Sequence, residues 1–192
     1  MTRTWRATLK ANRRASLLRS AAHLFAERGF AAVSTIELGE AVGMSGPALY
    51  NYFPSKEALL CELLVDASSR LLAGCRDILD EAATDGERLD RLIEFHLDFA
   101  TADPDVIRIQ DRELAQLPRE ANHEVRSLQR WYVQEWDRVL AALRPGMSDA
   151  ERQTRLLGVF GLLNSTPYSA SPTGRGAGSI LAGMAHRALL GD

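Results

Sequence analysis

Cysteine is nearly missing from this 192-residue chain. The two present, Cys61 and Cys75, are fourteen positions apart on what reads as one helix. At 1.5 Å per residue that is about 21 Å, which excludes a disulfide between them. Long hydrophobic runs are absent too, and no charged stretch followed by an apolar segment and a small-residue cleavage site opens the chain. A cytoplasmic protein without membrane contact is expected. Alternating β-branched residues over a strand's length occur nowhere, so sheets are not expected. The four histidines, His23, His96, His123 and His186, are scattered. Neither they nor the cysteines show metal-ligand spacing on one helix, and no serine sits in a nucleophile-elbow context. No metal, no cofactor and no catalytic centre are expected, although a helical bundle can still assemble an enzyme site from distant residues.

Acidic residues are missing from one end only. None precedes Glu27, whereas six basic residues do. Residues 1–56 hold eight basic side chains against three acidic ones, a balance of +5, and the remainder holds fifteen against twenty-two, or −7. The net charge of −2 therefore hides one end suited to a polyanion and one that is not. An ordinary charged surface is the alternative.

What is there is a succession of helices, with 46% hydrophobic residues to build a core. The spacing predicts a first helix over about Arg13 to Arg28, with Leu18, Ala22 and Phe25 on one face and Gly29 ending it. Ser34 and Glu37 form a capping box for a short second helix that stops at Gly43. Ser45 caps a third, from about Gly46 to Tyr52, with Pro47 in its first turn. A long fourth helix, Ser55 to about Ala82, carries a stripe through Leu60, Leu64, Leu71 and Ile78, and it is long enough to link two modules rigidly. Thr84 with Glu87 opens the next helix, Asp103 caps another from Pro104, and Pro118 opens a seventh. Ser148 with Glu151 leads into the apolar stretch Leu156 to Leu163. A segment rich in Ser, Pro and Gly, Ser165 to Ser179, then breaks the pattern before a last helix over about Ile180 to Leu190. The expected fold is all-α. A basic three-helix module covers 1–55 and a larger helical domain covers 56–192, with no flexible spacer between them.

The second and third helices have helix-turn-helix spacing. Gly39 is small where the helices touch, Gly43 provides the turn, and Leu38, Val42, Met44 and Leu49 point into the shared core. The stretches Phe25-Ala26-Glu27-Arg28-Gly29-Phe30 and Gly43-Met44-Ser45-Gly46-Pro47-Ala48-Leu49-Tyr50-Asn51-Tyr52-Phe53-Pro54-Ser55-Lys56-Glu57-Ala58-Leu59-Leu60 resemble the DNA-binding module of TetR-type transcriptional regulators. The resemblance implies a homodimeric repressor that binds double-stranded operator DNA and is released by a small-molecule effector. Ser45, Ala48, Tyr50, Asn51 and Tyr52 match positions on the exposed face of the family's recognition helix, with Leu49 and Phe53 behind it. Asn51 is the candidate for a base edge, because a carboxamide pairs bidentately with adenine. Tyr50 and Tyr52 suit phosphate, sugar or thymine methyl contacts. Ser34 and Thr35 at the second helix and Lys56 at the fourth suit phosphates, which fix register without reading sequence. Gly46 and Pro47 depart from the family's commoner basic residue and glycine. The basic stretch Arg3, Arg6, Lys10, Arg13 and Arg14 is expected before the first helix, either as an arm reaching a neighbouring groove or as a tail that raises nonspecific attraction.

In the larger half, His96 falls on an apolar face with Leu89, Leu92 and Phe99, and Gln110 falls between Ile107, Leu114 and Leu117. Each either satisfies a core hydrogen bond or orients a ligand. With Tyr132 and Trp136 they make the candidate ligand site. The runs from Arg108 to Leu114 and from Leu128 to Trp136 also resemble TetR-type regulators of lipid and acyl-CoA metabolism. That implies an acyl-CoA or other hydrophobic effector, with Arg108, Arg112, Arg126 and Arg130 either facing a CoA phosphate or solvated. The apolar residues of the last two helices exceed what one neighbour covers. They are expected to pair two subunits, with Gly158, Gly161 and Gly183 allowing close approach.

Overall fold

A computed structural model describes residues 2–166 and 176–191, without the side chains of residues 2–4, 6 and 111. Among the described residues every regular element is helical. The elements are α1 (Thr2–Arg28), α2 (Thr35–Glu40), α3 (Gly46–Leu49), α4 (Lys56–Glu81), α5 (Asp85–Ala102), α6 (Pro104–Glu113), a 3-10 turn at Leu114–Gln116, α7 (Arg119–Leu143), α8 (Asp149–Asn164) and α9 (Ala177–Leu190). No described helix is long and apolar enough to cross a membrane.

The starts of the helices follow from their capping residues. Ser34, Ser55, Thr84 and Ser148 each accept the backbone N–H three residues on, which satisfies a donor that the first turn cannot use internally. At Ser34 the box closes, because Glu37 Oε2 accepts the Ser34 N–H at 2.8 Å. These bonds, and then Arg28 at 2.6 Å, hold the Glu37 carboxyl down to about 2. Gly29 and Gly43 take φ of 84° and 68°, the left-handed conformation that lets a helix end and the chain turn.

Three boundaries differ from expectation. α1 begins at Thr2, so the basic stretch placed ahead of the first helix is part of it, and no free arm precedes it among the described residues. Good helix formers such as Ala7, Leu9, Lys10 and Ala11 contain nothing that would stop the helix before Arg13. α3 ends at Leu49 instead of reaching Tyr52. From there the chain tightens through i to i−3 bonds, Asn51 N–H to Ala48 O at 3.2 Å and Tyr52 N–H to Leu49 O at 2.9 Å. α9 starts at Ala177, ahead of Ile180. Most of the segment expected to break the pattern, residues 167–175, lies outside the described residues.

One apolar core runs from Leu17 on α1 to Leu189 on α9. α4 is its strut, touching α1, α5, α6 and α7 along its length. α8 and α9 pack on each other, turning Leu156, Val159, Leu163, Leu181, Ala185 and Leu189 inward. Their other side leaves Leu157 and Ile180 exposed by 66% and 62%, with Met184 beside them. A Cβ added at Gly158 or Gly161 would meet nothing within 4 Å, so these glycines open onto that outer face instead of serving contacts within the chain.

Candidate nucleic-acid interface and ligand chamber

The reading edge is built by close approach. A Cβ on Gly39 would lie 2.8 Å from Met44 O and 3.0 Å from Gly46 N, so only glycine lets α2 and α3 come this close. Leu38, Leu49 and Phe53 are fully buried behind them. This orientation turns Ser45, Pro47, Tyr50 and Asn51 outward. Ser45 stands at the N-cap of α3 but makes no side-chain cap bond, which leaves its hydroxyl for an outside partner. Ala48 and Tyr52 are half-buried, and Lys10 lies 6.0 Å from the Tyr52 ring centroid.

Other candidates are engaged elsewhere. Gly46 is buried against α2, where a Cβ would meet Ile36 Cα at 3.2 Å, so its role is packing. Lys56 donates to the carbonyls of Phe30 and Val33, each at 2.8 Å, and lies 4.3 Å from the Phe30 ring centroid. Two of its three donors thus close the loop after α1 instead of gripping a phosphate. Arg14 pairs with Glu62 and stacks over Phe53, which leaves Arg13 as the exposed member of that pair. The Ser34 hydroxyl is spent on Glu37 at 2.8 Å, and Thr35 is half-buried. The side chains of Arg3 and Arg6 lie outside the described residues. Sequence reading missed Ile36, a large apolar side chain 59% exposed on α2.

A chamber of about 230 Å³ lies among α4, α5, α6, α7 and α8. His96, Gln110 and Tyr132 line it, joined by Ser68, Phe160 and Asn164. The polar side chains form one chain of bonds and two loose ends. His96 Nε2–H donates to Asn164 Oδ1 at 3.0 Å, which leaves Nδ1 to accept the Tyr132 O–H at 3.0 Å. Burial pushes the His96 imidazole down to about 4 and the Tyr132 phenol well up, so both are neutral at physiological pH. Gln110 Oε1 and Ser68 Oγ are buried without a hydrogen-bond partner among the described residues. Leu71, Ile107, Val133 and Leu157 complete an apolar wall.

Trp136 corrects the expected site. It is fully buried and lines no part of the chamber. Instead it packs edge-on behind the wall, 5.0 Å from the Phe160 centroid and 6.2 Å from that of His96. Ser68 was legible, because it follows Leu64 by four and precedes Leu71 by three on the inward stripe of α4. Asn164 and Phe160 were not, since their helix reads as a dimer element from its apolar excess.

The chamber shares Gln129, Val133 and Leu157 with a neighbouring cleft flanked by Arg126 and Arg130. These arginines donate only to the neutral groups Asn122 Oδ1 and Ser127 Oγ, so neither meets a carboxylate among the described residues. Arg108 and Arg112 are elsewhere. Arg108 pairs with Asp105 at 3.2 Å. Arg112 donates to the carbonyls of Phe25 and Ala26 at the end of α1, and to Glu113 Oε1 at 2.9 Å. Glu113, only 6% exposed, also accepts the Phe30 N–H at 3.2 Å. The end of α6 is thereby fastened to the end of α1, eighty-odd residues earlier in the chain.

Comparison with known proteins agrees with this geometry. Residues 17–63 match the sequence profile of bacterial regulatory proteins of the tetR family, and residues 82–186 match that of the tetracycline-repressor-like C-terminal domain. The chain is similar to the nucleoid occlusion factor SlmA of Vibrio vulnificus, 34% identical over 101 residues, 52% of each protein. It is also similar to the HTH-type transcriptional repressor KstR2 of Mycobacterium tuberculosis, 41% identical over 81 residues, 42% of this chain and 40% of the repressor. The matches thus span about half the length of these curated relatives or less. A crystal structure of a TetR-family transcriptional regulator from Bordetella parapertussis superposes with a TM-score of 0.86 at 25% identity, covering 93% of this chain and 94% of that one.

Proposed function

Because this chain belongs to the tetR family of bacterial regulatory proteins, and so to regulators rather than enzymes, we propose that it is a repressor: it binds a palindromic operator as a homodimer and leaves it when a small effector fills the chamber. Residues 1–55 read the DNA in the cytoplasm and residues 56–192 sense and dimerise. A single observation carries this reading. Helix α6 ties the chamber to the first helix of the DNA-binding module, with Gln110 on the chamber and Arg112 and Glu113, two and three residues on, bonded to the end of α1 and to Phe30 just beyond it. Motion at one site is thus motion at the other, through α6 as well as through the long strut α4.

Pairing of two copies through α8 and α9 covers Ile180 and Met184 and sets the two reading edges about 34 Å apart, one helical turn of DNA. The effector is a small hydrophobic molecule or the acyl part of a CoA thioester. The unpaired charges of Arg126 and Arg130 at the mouth favour the second, since phosphates would reach them from a chamber filled by an apolar chain. An effector that favours the released arrangement by about 3 kcal/mol lowers operator affinity roughly a hundredfold.

The reading edge is tested at Asn51, which is exposed and free to approach a base. Asn51→Ala is expected to weaken the specific operator by about 1–3 kcal/mol while binding to random duplex stays within a few-fold. Gel shifts on both duplexes measure it. Equal losses on the two would make Asn51 a phosphate or packing residue and not a reader.

A further inference from the structure

We propose that the chamber selects an effector whose buried end carries an uncharged hydroxyl, one group that both donates and accepts a hydrogen bond. The proposal deepens the effector-site reading above and rests on it. Its basis is the mismatch between the polar atoms that the chamber supplies and those that the fold itself satisfies.

Two side chains that line the chamber each hold a buried atom without a partner among the described residues, Ser68 Oγ and Gln110 Oε1. Ser68 is only 3% exposed, so water does not reach it freely. Their needs are opposite. Gln110 Oε1 requires a donor, whereas the Ser68 hydroxyl has a proton to give. The neighbouring polar groups do not meet these needs, because Tyr132, His96 and Asn164 are engaged with one another. A ketone, ether or ester on the ligand accepts from Ser68 and leaves Gln110 unpaired. A hydrocarbon satisfies neither. A hydroxyl satisfies both, donating to Gln110 Oε1 and accepting from Ser68.

Charge narrows the class further. No charged side chain lines the chamber among the described residues, and apart from the polar groups already named and the amide of Gln129 the wall is aliphatic and aromatic. His96 cannot act as a counter-ion near neutral pH, because burial holds it in the neutral form. A carboxylate would enter unpaired, which a site of this kind rejects. The nearest uncompensated cations, Arg126 and Arg130, stand outside in the cleft, where a ligand's anionic portion belongs. The ring faces of Tyr132 and Phe160, with centroids 5.7 Å apart, suit a flat or short apolar scaffold beside the hydroxyl.

Isothermal titration of the purified full chain with four matched probes at pH 7 tests this without DNA: 4-propylphenol, 1-methoxy-4-propylbenzene, propylbenzene and 4-propylbenzoate. The phenol is expected to bind about tenfold or more tighter than the ether and the hydrocarbon, because a site built around a hydroxyl leaves its own polar groups unpaired with analogues that lack one. The benzoate is expected not to bind measurably. In Gln110→Met the preference of phenol over ether collapses toward unity while propylbenzene binding persists, and circular dichroism verifies the fold. Ser68→Ala, a smaller change, gives the same loss of preference if the first variant folds poorly. The proposal is overturned if the benzoate binds as well as the phenol, if the ether matches the phenol, or if no probe binds. Operator occupancy, measured separately, keeps the two readings apart. Selective phenol binding without operator release would sink the effector reading and leave the ligand class standing.

Discussion

Gly39→Ala is expected to abolish operator recognition while leaving the rest of the chain folded. The added methyl carbon would lie 2.8 Å from Met44 O, 3.0 Å from Gly46 N and 3.0 Å from Ser45 C. All three are backbone atoms, so no rotamer change relieves the contact, and α2 and α3 must separate. Overpacking of this kind costs about 1–3 kcal/mol. That cost falls on a helix of four residues, which has no stability of its own and is held by the packing of Gly46 on α2 and by the buried Leu49 and Phe53. Asn51 and Tyr50 then no longer meet the groove together. Gel shifts should show at least about a hundredfold loss of specific affinity, the scale of two or more lost base contacts, with little change in helix content. Gly43→Asn is the control. Gly43 sits in the turn itself, with φ 68° and open space around its Cα, and asparagine tolerates the left-handed region. It should bind within a few-fold of the parent. Wild-type affinity in Gly39→Ala would mean that the two helices do not approach as described.

Glu113→Ala is expected to break communication between chamber and DNA. The buried carboxylate accepts the Phe30 N–H and steadies Arg112, which in turn holds the carbonyls of Phe25 and Ala26. Its removal leaves the Phe30 donor unpaired, a loss of about 1–3 kcal/mol, and lets α6 move without carrying α1. The response, measured as the operator affinity without effector divided by that with it, should fall from about a hundredfold to a few-fold. Fluorescence anisotropy of labelled operator, titrated with a chamber-filling probe such as 4-propylphenol, measures this ratio. Glu113→Gln keeps an acceptor for Phe30 and should retain most of the response. A full response in Glu113→Ala would show that the signal does not pass through the Glu113 carboxylate.

The contrast between these residues shows what the chain discloses before it folds. Local grammar was legible. The capping box at Ser34 and Glu37, the caps at Thr84 and Ser148, and the left-handed turns at Gly29 and Gly43 all depend on neighbours within a few positions. The tight contact at Gly39 was legible for the same reason. Lys56 shows that motif position fixes where a side chain starts, not what it reaches. Its ammonium found the Phe30 and Val33 carbonyls before any phosphate. Tyr132 and Trp136 share one helical face, and periodicity cannot tell which of two inward residues is covered by Phe160 on a distant helix. Arg112 reads as facing a CoA phosphate or solvent, since nothing near it in sequence reveals that α1 lies against it. The chamber's unpaired atoms were invisible for a related reason, because satisfaction of Gln110 and Ser68 depends on five helices at once.

The central claim is that a symmetric pair of these chains reads DNA sequence. Selection from a pool of random duplexes, followed by measurement of the mass of the selected complex, tests it most directly. The account predicts an inverted repeat whose half-sites lie about one helical turn apart, bound by two chains and weakening steeply as salt rises. Recovery of no enriched sequence, or of an asymmetric site bound by a single chain, would contradict it.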